Sequence, residues 1–167
     1  MSRQRAAEQM RERPGGEGPD TLIPMALAWI REPRALWDAD KQRIIGGAPP
    51  GVFAVAASAP GALLPGDWWR VEEDGRVVGY GWMDYSWGDA EVLLTVEPGS
   101  QSRGAGTFIL DRLDEEAAAR GLNYLYNVIP AEHPDKSGLK RWLLQRGFAG
   151  AKEGDLFKRT VQSRKHT

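Results

Sequence analysis

The order of elements between Trp68 and Ile129 constrains the fold more tightly than any other part of this 167-residue chain. Trp68–Glu72 alternates and is rich in aromatic and β-branched residues, Glu73-Asp74-Gly75 supplies a hairpin turn, and Arg76–Tyr85 returns as a second strand. Trp87-Gly88-Asp89 turns the chain again into Ala90–Val96, a mostly apolar third strand, and Pro98-Gly99-Ser100 breaks it. Gly104–Arg120 then places Ile109, Leu113 and Ala117 along one helical stripe and closes at Gly121. Leu122–Ile129 is a further strand. A meander followed by strand–helix–strand implies a mixed sheet, because such a crossover pairs its two strands as parallel neighbours.

The flanks read less sharply. Gly138–Arg146 is a second helix stopping at Gly147, and Phe148 with Leu156–Val161 forms one or two closing strands. Leu22–Ile30 is apolar but interrupted by Pro24, and its periodicity fits strand and helix alike. Arg34–Ile45 carries Leu36, Trp37 and Ile44 at helical spacing, so a helix is expected there, ended by the Gly/Pro cluster at 46–51. Val52–Ser58 is small and apolar, and a Pro/Gly loop follows to Gly66. The expected organisation is one α/β (α+β, mixed-sheet) domain over 21–161, between a flexible, charge-rich tail at 1–20 and a basic tail at 162–167.

Composition narrows the function classes. With 22 Lys+Arg against 23 Asp+Glu the chain is almost neutral, which argues against a nucleic-acid footprint spread over the domain. The absence of cysteine removes disulfides, thiolate metal sites and a cysteine nucleophile, and two histidines, His133 and His166, leave little for a His-based metal site. No run approaches the roughly 20 apolar residues of a membrane span, and the first twenty residues lack a secretory apolar core, so a cytoplasmic protein without metal or membrane partner is expected.

The chemistry points to the segment Val96-Glu-Pro-Gly-Ser-Gln101-Ser-Arg103-Gly104-Ala105-Gly106-Thr107. A helix start leaves N–H groups unpaired and carries about half a positive charge. Here no acid appears before Asp111, no side chain beyond Thr107 in size fills the first turn, and Arg103 stands at the mouth. That is a phosphate cradle, although a strand–helix turn solvated by water explains the same residues. The segment lacks the Lys-Ser/Thr of a nucleotide P-loop and the third glycine of a dinucleotide fingerprint.

These residues resemble the GNAT superfamily of acyl-CoA-dependent N-acyltransferases. Val96-Glu97-Pro98 followed by Gln101-Ser102-Arg103-Gly104-Ala105-Gly106 is similar to the family's strand-Val-x-Pro, Gln/Arg-x-x-Gly-x-Gly/Ala motif, and Arg146-Gly147-Phe148 to its downstream Gly-Phe. The likeness covers roughly Trp68 to Val161. It implies a GNAT-like fold: a central, mostly antiparallel sheet flanked by helices and splayed between the strands at 90–96 and 122–129. The cofactor it implies is acetyl-CoA, its pyrophosphate on the N–H groups of Gln101, Ser102, Arg103, Gly104, Ala105, Gly106 and Thr107 and its pantetheine along Leu94 and Val96. The implied reaction is direct acetyl transfer to the primary amine of a small molecule or peptide. Binding of acyl-CoA without transfer is the alternative within the family, and a different phosphorylated ligand on the same loop the alternative outside it.

The catalytic residues are less determined. The family's acidic tyrosine would fall at Leu143, beside Trp142, neither of which delivers a proton to sulfur. Tyr126, or Tyr124, on the next strand is then the candidate acid, with water, or no acid at all, as the alternatives. Glu91, at the start of the central strand, is the expected base, against a reading as an ordinary solvated carboxylate; His133, with Glu132 in the loop after the next strand, competes for the role. Tyr80, Trp82 and Asp84 alternate onto one face of their strand, and with Asp89 and Glu91 nearby they suit a cationic amine, although aromatic residues are also ordinary in strands. Open sheet edges in this architecture allow a homodimer.

Overall fold

A computed structural model describes residues 26–53, 58–150 and 154–163, with residues 101–103 described by their backbone. The tail expected at 1–20, the middle of the Val52–Ser58 run and the last four residues of the chain lie outside these.

The chain forms β1 (Leu27–Glu32), α1 (Ala39–Ile44), β2 (Asp67–Glu73), β3 (Arg76–Ser86), β4 (Asp89–Val96), a 3-10 helix (Pro98–Arg103), α2 (Ala105–Ala119), β5 (Tyr124–Val128), α3 (Lys136–Gln145), β6 (Ala149–Gly150) and β7 (Leu156–Thr160). One seven-stranded sheet runs β1-β2-β3-β4-β5-β7-β6. Of the ambiguous run Leu22–Ile30, the first four residues lie outside those described and residues 27–30 enter the edge strand β1, antiparallel to β2 from Leu27 opposite Glu73 to Glu32 opposite Trp68.

The helix expected over Arg34–Ile45 is cut to its second half. The backbone of Ala35–Trp37 is instead tied to the segment 61–64: Trp37 N–H donates to Ala62 C=O and Leu64 N–H to Ala35 C=O, at 2.8 and 2.9 Å. Tertiary pairing outbids the local helical spacing. Asp38 then caps α1 by accepting the Lys41 N–H at 2.9 Å.

Strand alternation divides the core between the two faces of the sheet. Val71, Met83, Ala90, Val92 and Leu125 pack with Ile109, Leu113 and Ala117 of α2 and Leu143 of α3. Trp68, Val77 and Tyr80 pack on the other side with Trp37, Ile44, Ile45 and Leu64. Gly79 and Gly81 let α2 approach β3 closely: a Cβ on Gly81 would lie 3.1 Å from Ile109 Cγ2 and 2.6 Å from Trp29 Cη2.

The feature that positions the site is the junction of β4 and β5. They pair in parallel only at Asp89–Tyr124, Ala90–Leu125 and Glu91–Tyr126. Beyond Glu91 β4 continues along β3 as far as Val96, while β5, paired with β7 from Tyr124 to Val128, has no ladder partner on β4 after Tyr126. At the vertex the Asn127 side-chain amide donates to Val92 C=O at 2.9 Å. The expected splay between the strands is present.

The start of the expected basic tail is anchored. Gln162 and Ser163 N–H groups donate to the buried Asp114 carboxylate of α2, the latter at 2.7 Å, so the described fold runs on to Ser163.

Candidate active site

The loop leaving β4 is more ordered than the sequence suggests. Pro98 opens the 3-10 helix, where its missing N–H costs nothing, and Ser100 N–H donates back to Glu97 C=O at 2.8 Å. Part of the loop's donors therefore point inward. Gly104 follows with φ of +79°, a left-handed conformation that favours glycine, and starts α2 with no side-chain cap and no acid in its first turn. The first α-helical bond there is Phe108 N–H to Gly104 C=O at 3.0 Å, so the N–H groups of Ala105, Gly106 and Thr107 precede the helical ladder. A Cβ on Gly99 or Gly104 would meet nothing within 4 Å, so backbone is approachable from that side. The side chains of Gln101, Ser102 and Arg103 lie outside those described.

A carboxylate beside such a cradle would repel an anion, and Glu97 is adjacent and buried. Two guanidinium groups neutralise it: Arg43 of α1 binds its Oε2, and Arg76 of β3 lies 2.8 Å from both oxygens. Arg43 also donates to Val77 C=O at 2.9 Å, which ties α1, β3 and the loop together.

Helix α3 completes the wall. A Cβ on Gly106 would lie 3.3 Å from Trp142 Cζ2 and 3.8 Å from Leu94 Cδ1, so Trp142 faces the first turn of α2 and the diverging part of β4. The Arg146 guanidinium stacks on Trp142 with its carbon 3.8 Å from the ring centroid, and both Nε and Nη2 donate to Thr107 Oγ1, at 3.2 and 3.0 Å. Sequence reading used Arg146 only as part of the Gly-Phe motif; the signal it carried was its i,i+4 spacing from Trp142. Leu143 is buried in the main core.

Of the expected catalytic residues, Glu91 and Tyr126 come together as register partners on β4 and β5, with Asp84 opposite Glu91 on β3. Burial first, then the like charge of Asp84, raises the Glu91 carboxyl above the usual carboxylate range. Burial, then Glu91, Asp84 and Asp89, raises the Tyr126 phenol, which keeps its proton. Asp89 is compensated by Lys158 at 3.0 Å. His133 is engaged on its own loop instead: its Nδ1 accepts the Asp135 N–H at 2.9 Å where Asp135 caps α3. A neutral imidazole accepting there carries its proton on Nε2.

Two aromatic residues of β3, Tyr80 and Trp82, are already employed. Tyr80 is 1% exposed, Lys41 Nζ lies 4.9 Å from its ring centroid, and Trp82 Nε1–H donates to Pro65 C=O at 3.1 Å. A cleft of about 450 Å³ lies between α1 and β1–β3. Its acids are paired internally, Glu32 and Asp38 with Lys41 at 2.7 and 3.1 Å, Asp40 with Arg43 at 3.2 Å and Glu72 with Arg70 at 3.5 Å.

Residues 9–136 match the model of the acetyltransferase (GNAT) family. The chain belongs to that family. The match reaches further towards the N-terminus than the Trp68–Val161 likeness read from motifs, taking in β1 and α1, and it stops at the start of α3. No curated protein matches this GNAT chain in sequence. Among solved structures, a GNAT-family protein from Desulfovibrio desulfuricans is 14% identical, with 82% of this chain and all of that one covered and a TM-score of 0.60. A GNAT-family acetyltransferase from Staphylococcus aureus Mu50 is 16% identical over 58% of this chain and 68% of that one, with a TM-score of 0.50. A Salmonella typhimurium protein solved with acetyl-CoA as its cofactor is 21% identical over 61% of this chain and 68% of its own, with a TM-score of 0.46. Among the described residues, no helix of this GNAT chain is long and apolar enough to cross a membrane, and no group of three His, Cys, Asp or Glu could hold a metal ion.

Proposed function

We propose that this GNAT-family member moves an acetyl group from acetyl-CoA directly to the primary amine of a small molecule or peptide. The observation that carries the reading is the divergence of β4 from β5 after Glu91, beside a helix start without acids. The residues fit the cofactor. The backbone from Gln101 to Thr107 would hold its pyrophosphate, with Glu97 already neutralised, and the edge of β4 at Leu94 and Val96 its pantetheine arm. When bound, acetyl-CoA supplies an acetyl group activated as a thioester.

Glu91 acts as the base. It accepts a proton from the ammonium form of the acceptor, directly or through water, and its raised pKa makes it a better acceptor than a solvated carboxylate. Asp84 adds attraction for a cationic amine from the same face. Tyr126, held protonated, offers a hydrogen bond on the β5 side; as a weakened acid it stabilises developing charge rather than giving up its proton. His133 serves the start of α3, since its Nδ1 lone pair is taken. With no cysteine in the chain, no acyl-cysteine intermediate forms. A cytoplasmic setting, and a homodimer through an open sheet edge such as β1, belong to the same proposal.

Leu143 supports a second reading, binding without transfer, because an apolar core residue stands where the family resemblance places the acidic tyrosine. Calorimetry with acetyl-CoA, CoA and ATP, followed by assay of free thiol release across an amine panel, separates the readings. Amine-dependent release is expected. Binding without release supports the second reading, and binding of neither CoA species overturns both.

A further inference from the structure

Five arginines are buried or half-buried among the described residues: Arg70, Arg112, Arg120, Arg146 and Arg159. Four of them have a carboxylate oxygen at 3.5 Å or closer. Arg146 has none among the described residues. Its guanidinium spends three N–H groups on uncharged acceptors, two on Thr107 Oγ1 and one on Trp142 C=O at 3.1 Å. A guanidinium has five N–H groups, so two remain. Partial burial lowers its pKa, and among the described residues the charge of Asp111, acting from beyond ion-pair distance, offsets only part of that cost.

Everything around the group holds it in place. Trp142 supplies the stacking face, Thr107 fixes the fork, and Arg159 Nη1 donates to the Arg146 carbonyl at 2.7 Å. Thr107 belongs to the first turn of α2, and helical side chains lean towards the N-terminus, so the guanidinium stands beside the acid-free helix start. A planar fork with two free donors, kept from carboxylates, matches a phosphate oxygen pair.

We infer that Arg146 is a phosphate-binding residue for the cofactor, an anchor at the C-terminal cap of α3 separate from the backbone of the 98–107 loop. This rests on the acetyl-CoA reading above. Of the cofactor's phosphates, either the pyrophosphate or the 3′-phosphate supplies the chemistry Arg146 fits.

The test is calorimetry of the full chain and its R146Q and R146K variants with CoA, dephospho-CoA and pantetheine, after thermal melts confirm folding. R146Q is expected to bind CoA at least tenfold more weakly, with pantetheine affinity unchanged and R146K intermediate. Loss for CoA alone assigns the 3′-phosphate, and equal loss for CoA and dephospho-CoA assigns the pyrophosphate. CoA affinity of R146Q within twofold of the parent, or an equal loss for pantetheine, overturns the inference while leaving the acetyl-CoA reading intact. A parent chain that binds no CoA overturns both. If R146Q does not fold, T107V, which removes the hydroxyl that orients the fork, is expected to weaken CoA and spare pantetheine; unchanged CoA affinity again overturns the inference.

Discussion

Asp84 and Glu91 stand directly opposite each other on β3 and β4, at the last pair before β4 leaves β5. Like charges facing across a ladder cost stability, about 0.2–1 kcal/mol relative to a neutral pair. The pair therefore has a local cost at the position where an amine would lose its proton. Because the folded Glu91 pKa is raised, the folded state takes up a proton more readily than the unfolded chain. The cost is thus present above the unfolded carboxylate range and is relieved as pH falls through the folded Glu91 pKa. Asp84→Asn should shift the acid limb of the kcat/KM profile to lower pH and stabilise the fold slightly. Glu91→Gln should lower kcat/KM by about 10²–10⁴-fold and leave CoA affinity unchanged. An acid limb that stays put in Asp84→Asn sinks the coupling.

Gly104 separates backbone geometry from charge. Any side chain there meets open space but must adopt φ near +79°, a strain of about 1–2 kcal/mol. Gly104→Gln and Gly104→Glu share that strain and nearly the same size. Two like charges about 4 Å apart repel by about 4 kcal/mol at an effective dielectric of about 20, so more than tenfold in affinity should survive screening. Gly104→Glu should thus bind CoA more than tenfold more weakly than Gly104→Gln. Equal affinities would place the pyrophosphate elsewhere.

Arg43 gives the loop a long-range dependence on α1. Removing it leaves the buried Glu97, among the described residues, with Arg76 as its remaining cation, beside a site proposed to accept an anion. Arg43→Met should weaken CoA binding severalfold and destabilise the fold by about 1–3 kcal/mol. Adding Glu97→Gln should restore affinity, since the repelling charge is gone. If the double variant binds no better than Arg43→Met, neutralisation is not Arg43's role.

The middle of the chain was legible because its signals are local. Asp74-Gly75 and Trp87-Gly88 sit at the hairpin tips with positive φ, and β2, β3 and β4 begin within a residue or two of their expected limits. The acid-free helix start was legible for the same reason, since Gly104 and the missing acids are readable one residue at a time. Arg34–Trp37 misled because its helical spacing competes with bonds to residues 61–64, which no window of that length contains. Tyr80 suits a cationic ligand or an ordinary strand position equally in sequence, because Lys41, whose ammonium lies over its ring, is 39 residues upstream. Arg146 carries no local signal, because lacking a carboxylate among the described residues is a property of everything around it, and Thr107 lies 39 positions away.

Asp114 tests how the C-terminal strand is held. Its carboxylate, 2% exposed on α2, receives Arg159 Nη2 at 3.0 Å and the N–H groups of Gln162 and Ser163. Burial alone would raise its pKa, but the bonds from Ser163, Gln162 and Arg159 outweigh burial and hold it below the usual carboxylate range. A depressed pKa gives stability that is present above the unfolded value and lost as pH falls through the folded one, so acid should loosen this joint at pH below about 4. Asp114→Asn leaves the buried Arg159 uncompensated, at a cost of about 3–5 kcal/mol. For a domain of this size that lowers Tm by roughly 6–20 °C. Adding Arg159→Met should recover part of the loss, because the stranded charge is gone. Thermal melts of the three variants from pH 3 to 7 decide it: an Asp114→Asn melt that falls as steeply with acid as the parent's would show that another carboxylate controls the acid limb.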